Sequence, residues 1–217
     1  IGISAITPFF HRTLEAIEMI RNACPDTTIV LGGPHATLFA EQTLANNPSV
    51  NMVCTGEGEY TLLDLVQTIE SGGDLRRVKG IVFRENGQIV RNPSRELIEN
   101  LDGLPFPARH LLPMAVYRPL PNQYRRLPVA HLMASRGCPF GCVYCSNAVF
   151  GRRTRTRSPE NVVNEIKSVI QDFNAKEIKF WDDTFTLKRS WVMELCQLLM
   201  KENLGVLWTC DTRVDRV

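Results

Sequence analysis

No stretch of this 217-residue chain gathers four cysteines, and no second C-x2-C or H-x3-H pair lies near the three that cluster. The paired-knuckle pattern of a structural zinc site is therefore missing. No apolar run reaches the roughly 18 residues of a membrane span, and no signal peptide opens the chain. Charge of one sign is not in excess either. Lys and Arg number 25 against 23 Asp and Glu, a net +2 that points to no particular partner. Seven cysteines, an odd number and irregularly placed, exclude the disulfide framework of a small secreted domain. A reducing cytoplasm is the expected compartment. What is present is ordinary for a globular protein: 44% hydrophobic and 22% charged residues, enough for one large or two small domains. The chain begins at Ile1 inside a strand-like run and ends just after another strand, so it is expected to be an internal piece of a longer protein and inactive by itself.

The organising stretch is Ser135 to Cys145, where Cys138, Cys142 and Cys145 fall in eight residues as C-x3-C-x2-C. Thiolates this close can converge on a soft centre: an iron–sulfur cluster, zinc or copper(I). A cubane cluster normally takes four cysteines. Three would leave one iron open to a small molecule, which implies chemistry and not bracing. With Tyr144 directly before Cys145, the pattern is C-x3-C-x-aromatic-C and resembles the radical S-adenosylmethionine (SAM) superfamily. The resemblance implies a [4Fe–4S] cluster on Cys138, Cys142 and Cys145. SAM would chelate the fourth iron through its amino and carboxylate groups, beside Tyr144, and reduction would cleave it to a 5′-deoxyadenosyl radical.

Upstream, strand and helix alternate at about the length of a βαβ repeat. Strands are expected at Ile1–Ile6, Thr28–Leu31 and Val50–Cys54. Helices are expected around Leu14, Ile17 and Ile20, from about Ala36 to Ala45, and through Leu62, Leu63, Val66 and Ile69. This is the pattern of a doubly wound α/β sheet, whose ligands bind beyond the carboxyl ends of the strands. Ser4, Thr7, Gly32, Gly33, His35, Gly56, Glu57 and Gly58 all fall at those ends. Ser4-x-Ile6 followed by Gly32-Gly33 resembles the Ser-x-Leu and Gly-Gly elements of cobalamin-binding domains. Gly-Gly-Pro-His and Gly-Glu-Gly-Glu resemble the form of that domain fused to radical SAM enzymes. The resemblance implies that Ser4, Ile6, Thr7, Gly32, Gly33, His35, Gly56, Glu57 and Gly58 line a cobalamin site. His35 reads first as a loop histidine that shapes the Gly-Gly turn.

Gly80 to Arg91 reads as a hairpin around Asn86-Gly87. The proline-rich run that follows, with Leu104-Pro105-Phe106-Pro107, reads as an interdomain connector. A strand from Val129 to Ser135 is expected to run straight into the cysteines. Ser158-Pro159-Glu160 is a helix start: a capping serine, proline at the first helical position and an acid in the first turn. Further strands at Glu177–Trp181 and Val206–Cys210 complete a βαβαβ pattern, the start of a β/α barrel. Asp182-Asp183-Thr184 closes the second of these strands, and Asp211-Thr212-Arg213 follows the third. The family resemblance places Asp182 and Asp183 at the SAM ammonium, where many relatives carry Gly-Gly-Glu, and Arg213 could fork onto its carboxylate. The run Arg152, Arg153, Arg155 and Arg157 has no interleaved aromatics and makes only a weak nucleic-acid case. It reads as a solvated loop or a clamp for phosphates. Cys54, Cys196 and Cys210 read as buried thiols.

The expected organisation is a truncated cobalamin-binding domain at 1–73, a connector at 74–127 and the first half of a radical SAM barrel at 128–217. The cofactors implied by the resemblance are a [4Fe–4S] cluster, SAM and cobalamin. The reaction implied is radical C-methylation of a small molecule or peptide, with flavodoxin or ferredoxin as reductant. Ring formation or rearrangement with the same parts is the alternative. A methylthiotransferase would need three more cysteines in the first domain, which Cys24 and Cys54 do not supply. A zinc-holding or cobalamin-sensing module is the non-enzymatic alternative.

Overall fold

The computed structural model describes residues 1–216. The chain divides into two compact units, Ile1–Ile98 with Cys142–Gly151, and Glu99–Gly141 with Arg152 onward.

In the first unit, β1 (Gly2–Ser4), β2 (Val30–Gly32) and β3 (Met52–Cys54) lie side by side and parallel. α1 (Phe10–Ala23) joins the first two; α2 (Gly33–Leu38) and α3 (Ala40–Asn46) join the second pair. The single helix expected at 36–45 is thus two. Phe39 leaves helical geometry (φ −124°, ψ 36°) at their junction, where its ring packs 5.1 Å from that of His35. α4 (Glu59–Glu70) follows β3. Side chains alternate across a strand, so Leu31, Val53 and Val82 share one core with Ile17, Ala36, Ala40 and Leu44 of the first three helices. Val30, Cys54, Ile81 and Phe83 face the other way, onto Leu65 of α4. Helices on both faces make the sheet doubly wound, as expected. α4 buries Thr61 and Leu65, while Leu62, Leu63, Val66 and Ile69 are 42 to 51% exposed. Burial drives the Cys54 thiol up to about 11, which suits an inert core group.

The hairpin is present as β4 (Ile81–Glu85) and β5 (Gln88–Arg91). Asn86 and Gly87 both take positive φ, 49° and 79°, as a two-residue turn of this kind requires. β4 pairs antiparallel with β3, so the hairpin extends the first sheet to five strands.

In the second unit, β6 (Val129–Leu132), β9 (Glu177–Phe180) and β10 (Leu207–Thr209) form a parallel sheet with β9 in the middle. Its connections are α5 (Pro159–Phe173) and α6 (Arg189–Glu202). α5 begins as its sequence dictates: the Ser158 hydroxyl accepts from the Asn161 amide at 3.1 Å. It ends at Asn174, whose left-handed backbone (φ 53°) stops the helix. Val162, Val163, Ile166 and Val169 pack with Trp191 and Leu195 onto Ala130, Leu132, Ile178 and Phe180. The opposite strand face carries His131, Lys179 and Thr209 in register. This is the βαβαβ start of a β/α barrel.

Two expectations are corrected here. The strand entering the cysteines does not run unbroken to Ser135. It stops at Leu132, and after two residues β7 (Ser135–Arg136) pairs antiparallel with β8 (Arg155–Thr156), closing the base of the cysteine loop. The arginine run is not a solvated loop throughout. Arg155 is buried, and Arg157 pairs with Glu165, a carboxylate on α5 only 2% exposed. Arg109, from the proline-rich stretch, reaches the other Glu165 oxygen at 2.7 Å and the His131 carbonyl at 2.8 Å. Asp102 from the same stretch accepts from the Ser158 amide at 2.9 Å. Glu177, buried, accepts from the Arg125 and Arg126 amides at 2.7 and 2.8 Å.

Candidate cofactor sites

The first group of candidate residues lies along the carboxyl edge of β1, β2 and β3. The Ala5 amide donates to the Gly32 carbonyl at 2.9 Å, and the His35 amide donates to the Ala5 carbonyl at 3.1 Å. The chain can turn this tightly because Gly33 sits at φ +87°. A Cβ there would lie 2.7 Å from Ser4 Oγ and 2.8 Å from the Ala5 carbonyl. Gly56 and Gly58 border open space, with no atom within 4 Å of the position a Cβ would take. The Gly56 amide donates to Thr37 Oγ1 at 3.1 Å. Ser4, Ile6 and Thr7 are exposed at this edge.

His35 and Glu57 stand apart from the rest. The His35 ring stacks on Phe10 at 3.7 Å, and its Nδ1 lies 3.1 Å from Thr7 Oγ1. Burial lowers its pKa and favours the neutral ring. Glu57 is 6% exposed and accepts from the Ile98 amide at 2.7 Å. Both are turned into the protein, whereas the glycines and Ser4 face the edge. An edge lined by glycines and small polar side chains, with room over Gly56 and Gly58, fits a bulky ligand such as cobalamin.

The second group surrounds the cysteines. Cys138 is buried, Cys142 half-buried and Cys145 exposed; Tyr144 is 90% exposed. Cys138 is anchored from the end of β9, with its sulfur 3.4 Å from Thr184 Oγ1. Asp182, beside it, is 4% exposed. Its Oδ1 accepts from Ser135 Oγ at 2.5 Å and its Oδ2 from the Ala134 amide at 3.1 Å. Burial raises the Asp182 pKa to about 6, against the opposing pull of those hydrogen bonds. Asp183 is exposed. Arg213 pairs with Asp215 (2.9 Å) and stacks over Phe140, inside the cysteine loop, at 4.1 Å.

Among the described residues no three His, Cys, Asp or Glu side chains converge as the ligands of one metal ion would. A multi-iron cluster spreads its thiolates further apart than a single ion does. The donor set, three thiols on one short loop with one already anchored, fits such a soft centre.

Residues 1–66 match the B12 binding domain, and residues 132–216 match the radical SAM superfamily. The chain belongs to the radical SAM proteins that carry a B12-binding domain. This B12-binding radical SAM chain is 36% identical over 216 residues to an uncharacterised methyltransferase of Pyrococcus horikoshii, covering 99% of the chain and 46% of the relative. It is 34% identical over 221 residues to the anaerobic magnesium-protoporphyrin IX monomethyl ester cyclase of Rubrivivax gelatinosus, covering 100% of the chain and 39% of that enzyme. The chain thus spans less than half the length of these relatives. In fold it resembles the cobalamin-dependent SAM radical enzyme OxsB, with a TM-score of 0.77 and 23% identity over 95% of this chain and 29% of that one.

Sequence reading of this radical SAM chain placed Thr184 at the strand end but did not find its contact with Cys138, or the Arg109–Glu165–Arg157 and Glu177 contacts. Glu165 and Glu177 had a faint signal: each is an acid within an otherwise apolar buried pattern. Arg125 and Arg126 are 52 and 51 residues from Glu177, and Arg109 lies in the proline-rich stretch far upstream of Glu165, where no spacing rule reaches.

Proposed function

We propose that the chain is part of an enzyme that cleaves SAM reductively at a [4Fe–4S] cluster and uses cobalamin for radical C-methylation. The observation that supports this is the order of the two family matches, with Cys138, Cys142 and Cys145 inside the second. When bound, the reduced cluster supplies the electron that splits SAM into methionine and a 5′-deoxyadenosyl radical, and methylcobalamin supplies the methyl group.

The chain's own residues hold and orient. Cys138, Cys142 and Cys145 ligate the cluster. Both Asp182 oxygens are engaged by Ala134 and Ser135, so Asp182 positions the strand entering the loop. Asp183 is the carboxylate left to meet the SAM ammonium. Arg213 can exchange Asp215, an exposed and therefore weak partner, for the SAM carboxylate. Tyr144, exposed directly before Cys145, would stand beside SAM. Ser4, Ile6, Thr7, Gly32, Gly33, Gly56 and Gly58 line the cobalamin edge, with His35 and Glu57 shaping it from behind. The reductant is a small electron carrier of the flavodoxin or ferredoxin kind, in the cytoplasm.

Ring formation is the second reading, favoured by the 34% identity to the cyclase. The deciding experiment uses anaerobically purified full-length protein. It measures iron, sulfide and cobalamin content, then 5′-deoxyadenosine release from SAM under reduction. Iron–sulfur without cobalamin would overturn the cofactor pairing. Zinc alone would overturn both enzyme readings.

A further inference from the structure

We infer that Thr184 tunes the cluster: its hydroxyl donates a hydrogen bond to the Cys138 thiolate and raises the cluster's reduction potential. The inference rests on the reading of Cys138 as a cluster ligand. Its footing is geometric. Thr184 Oγ1 lies 3.4 Å from Cys138 Sγ, within range for a hydrogen bond to sulfur, and Thr184 and Cys138 are 3% and 7% exposed. Water therefore competes little for either atom.

The hydroxyl has one hydrogen and two acceptors in reach, the sulfur and the Asp183 carbonyl at 2.8 Å. With a neutral thiol, the carbonyl is a good acceptor and the thiol can donate to Oγ1. A metal-bound sulfur has lost its proton. It carries negative charge and cannot donate. A hydrogen bond to a charged acceptor is about twice as strong as one to a neutral acceptor, so the hydrogen turns to sulfur. An added electron places more charge on the cluster sulfurs, so this bond is stronger in the reduced state. Stabilising the reduced state raises the potential, one of the levers by which a protein sets cluster potentials.

Thr184 is a positioning and tuning residue, not a catalytic one. It sits two residues beyond Asp182, whose carboxylate fixes Ala134 and Ser135. One strand end thus holds both the approach to the cysteine loop and its first ligand.

The test is a redox titration of the cluster in the full-length protein, wild type against Thr184→Val, which keeps the shape and removes the hydroxyl. At fixed ambient potential the ratio of reduced to oxidised cluster should fall about fivefold in the valine variant, part of the strength of a hydrogen bond to a charged group. Thr184→Ser should restore it. Should the valine variant not take up iron, Thr184→Ala is measured in its place. An unchanged potential at full iron content overturns the inference and leaves the proposed function standing. Loss of iron in both valine and alanine variants, with normal loading in the serine variant, would make the hydroxyl a builder of the site and overturn its tuning role. A wild-type protein that holds no iron–sulfur cluster overturns the proposed function and this inference together.

Discussion

The two sheets end in opposite ways. The carboxyl edge of β1, β2 and β3 is made by subtraction: Gly33 lets backbone press against Ser4, and Gly56 and Gly58 leave space. The second unit is held by addition: Asp182 and Thr184 beyond the carboxyl end of β9, Glu165 on α5 and Glu177 at the amino end of β9 are all buried, the first two bonded to the approach and first cysteine of the loop and the other two to the connector. An edge recognising a large ligand by shape needs room and tolerates few side chains. A rim holding a reactive loop needs fixed directions, which buried hydrogen bonds supply. The first should therefore fail by filling and the second by loss of a partner.

The second unit should break hardest. Glu165→Ala leaves Arg109 and Arg157 without their shared carboxylate in the interior. Breaking a buried ion pair by removing one partner costs about 3–5 kcal/mol, and denaturant titration should show a loss of that size. Glu165→Gln, which keeps the shape and loses the charge, should recover part of it. Replacing Cys138, Cys142 or Cys145 with Ala should abolish cluster uptake while changing the denaturation midpoint far less than Glu165→Ala does. Iron analysis beside the unfolding curve would separate the two effects.

Gly33→Ala tests the other edge. The new methyl meets Ser4 and Ala5 at a positive φ. A cost of about 1–3 kcal/mol is expected from the strained backbone, with loss of cobalamin binding by spectroscopic titration. Normal cobalamin binding in this variant would show that the slot lies elsewhere.

Asp182 sharpens the comparison through pH. Its pKa is raised in the folded protein from 3.8 to about 6, so the folded state holds a proton that the unfolded chain releases between those values. That contribution is full below about pH 4 and is lost as pH rises through 6. Comparing Asp182→Asn with wild type cancels the other groups. The difference in unfolding free energy should move toward the variant by about 2 kcal/mol between pH 4 and 7. The smallest effect belongs to Glu41, held at about 2 chiefly by the Arg91 hydrogen bond but 52% exposed at its side chain. Solvent screens such a pair, so Glu41→Gln should change stability by under about 1 kcal/mol.

The edge was more legible than the rim because subtraction leaves a local mark. A glycine pair after an apolar run announces a tight turn wherever the rest of the chain goes. Gly32, Gly33, Gly56 and Gly58 were found in this way, and so was the Ser158 cap. The cysteines were legible for the same reason, being a spacing within eight residues. The rim depends on partners brought together by folding: Asp182 meets residues 47 and 48 positions away, and Thr184 meets one 46 away. Asp182 was found as an acid at a strand end, but its engagement with Ser135 and Ala134 has no signature in sequence. Arg157 was misread because a run of arginines looks solvated until a buried Glu165 is placed beside it.

The two-residue ladder of β7 and β8 makes the cysteine loop a ring with a fixed circumference. Bringing the ends of a flexible loop together has an entropic cost that depends on its length, and here the fold meets that cost before any metal arrives. Three thiols on a tethered ring encounter one another far more often than they would on an open chain. Capture of iron and sulfide then becomes a local event, and its rate should follow the integrity of the ladder, not the completeness of the barrel.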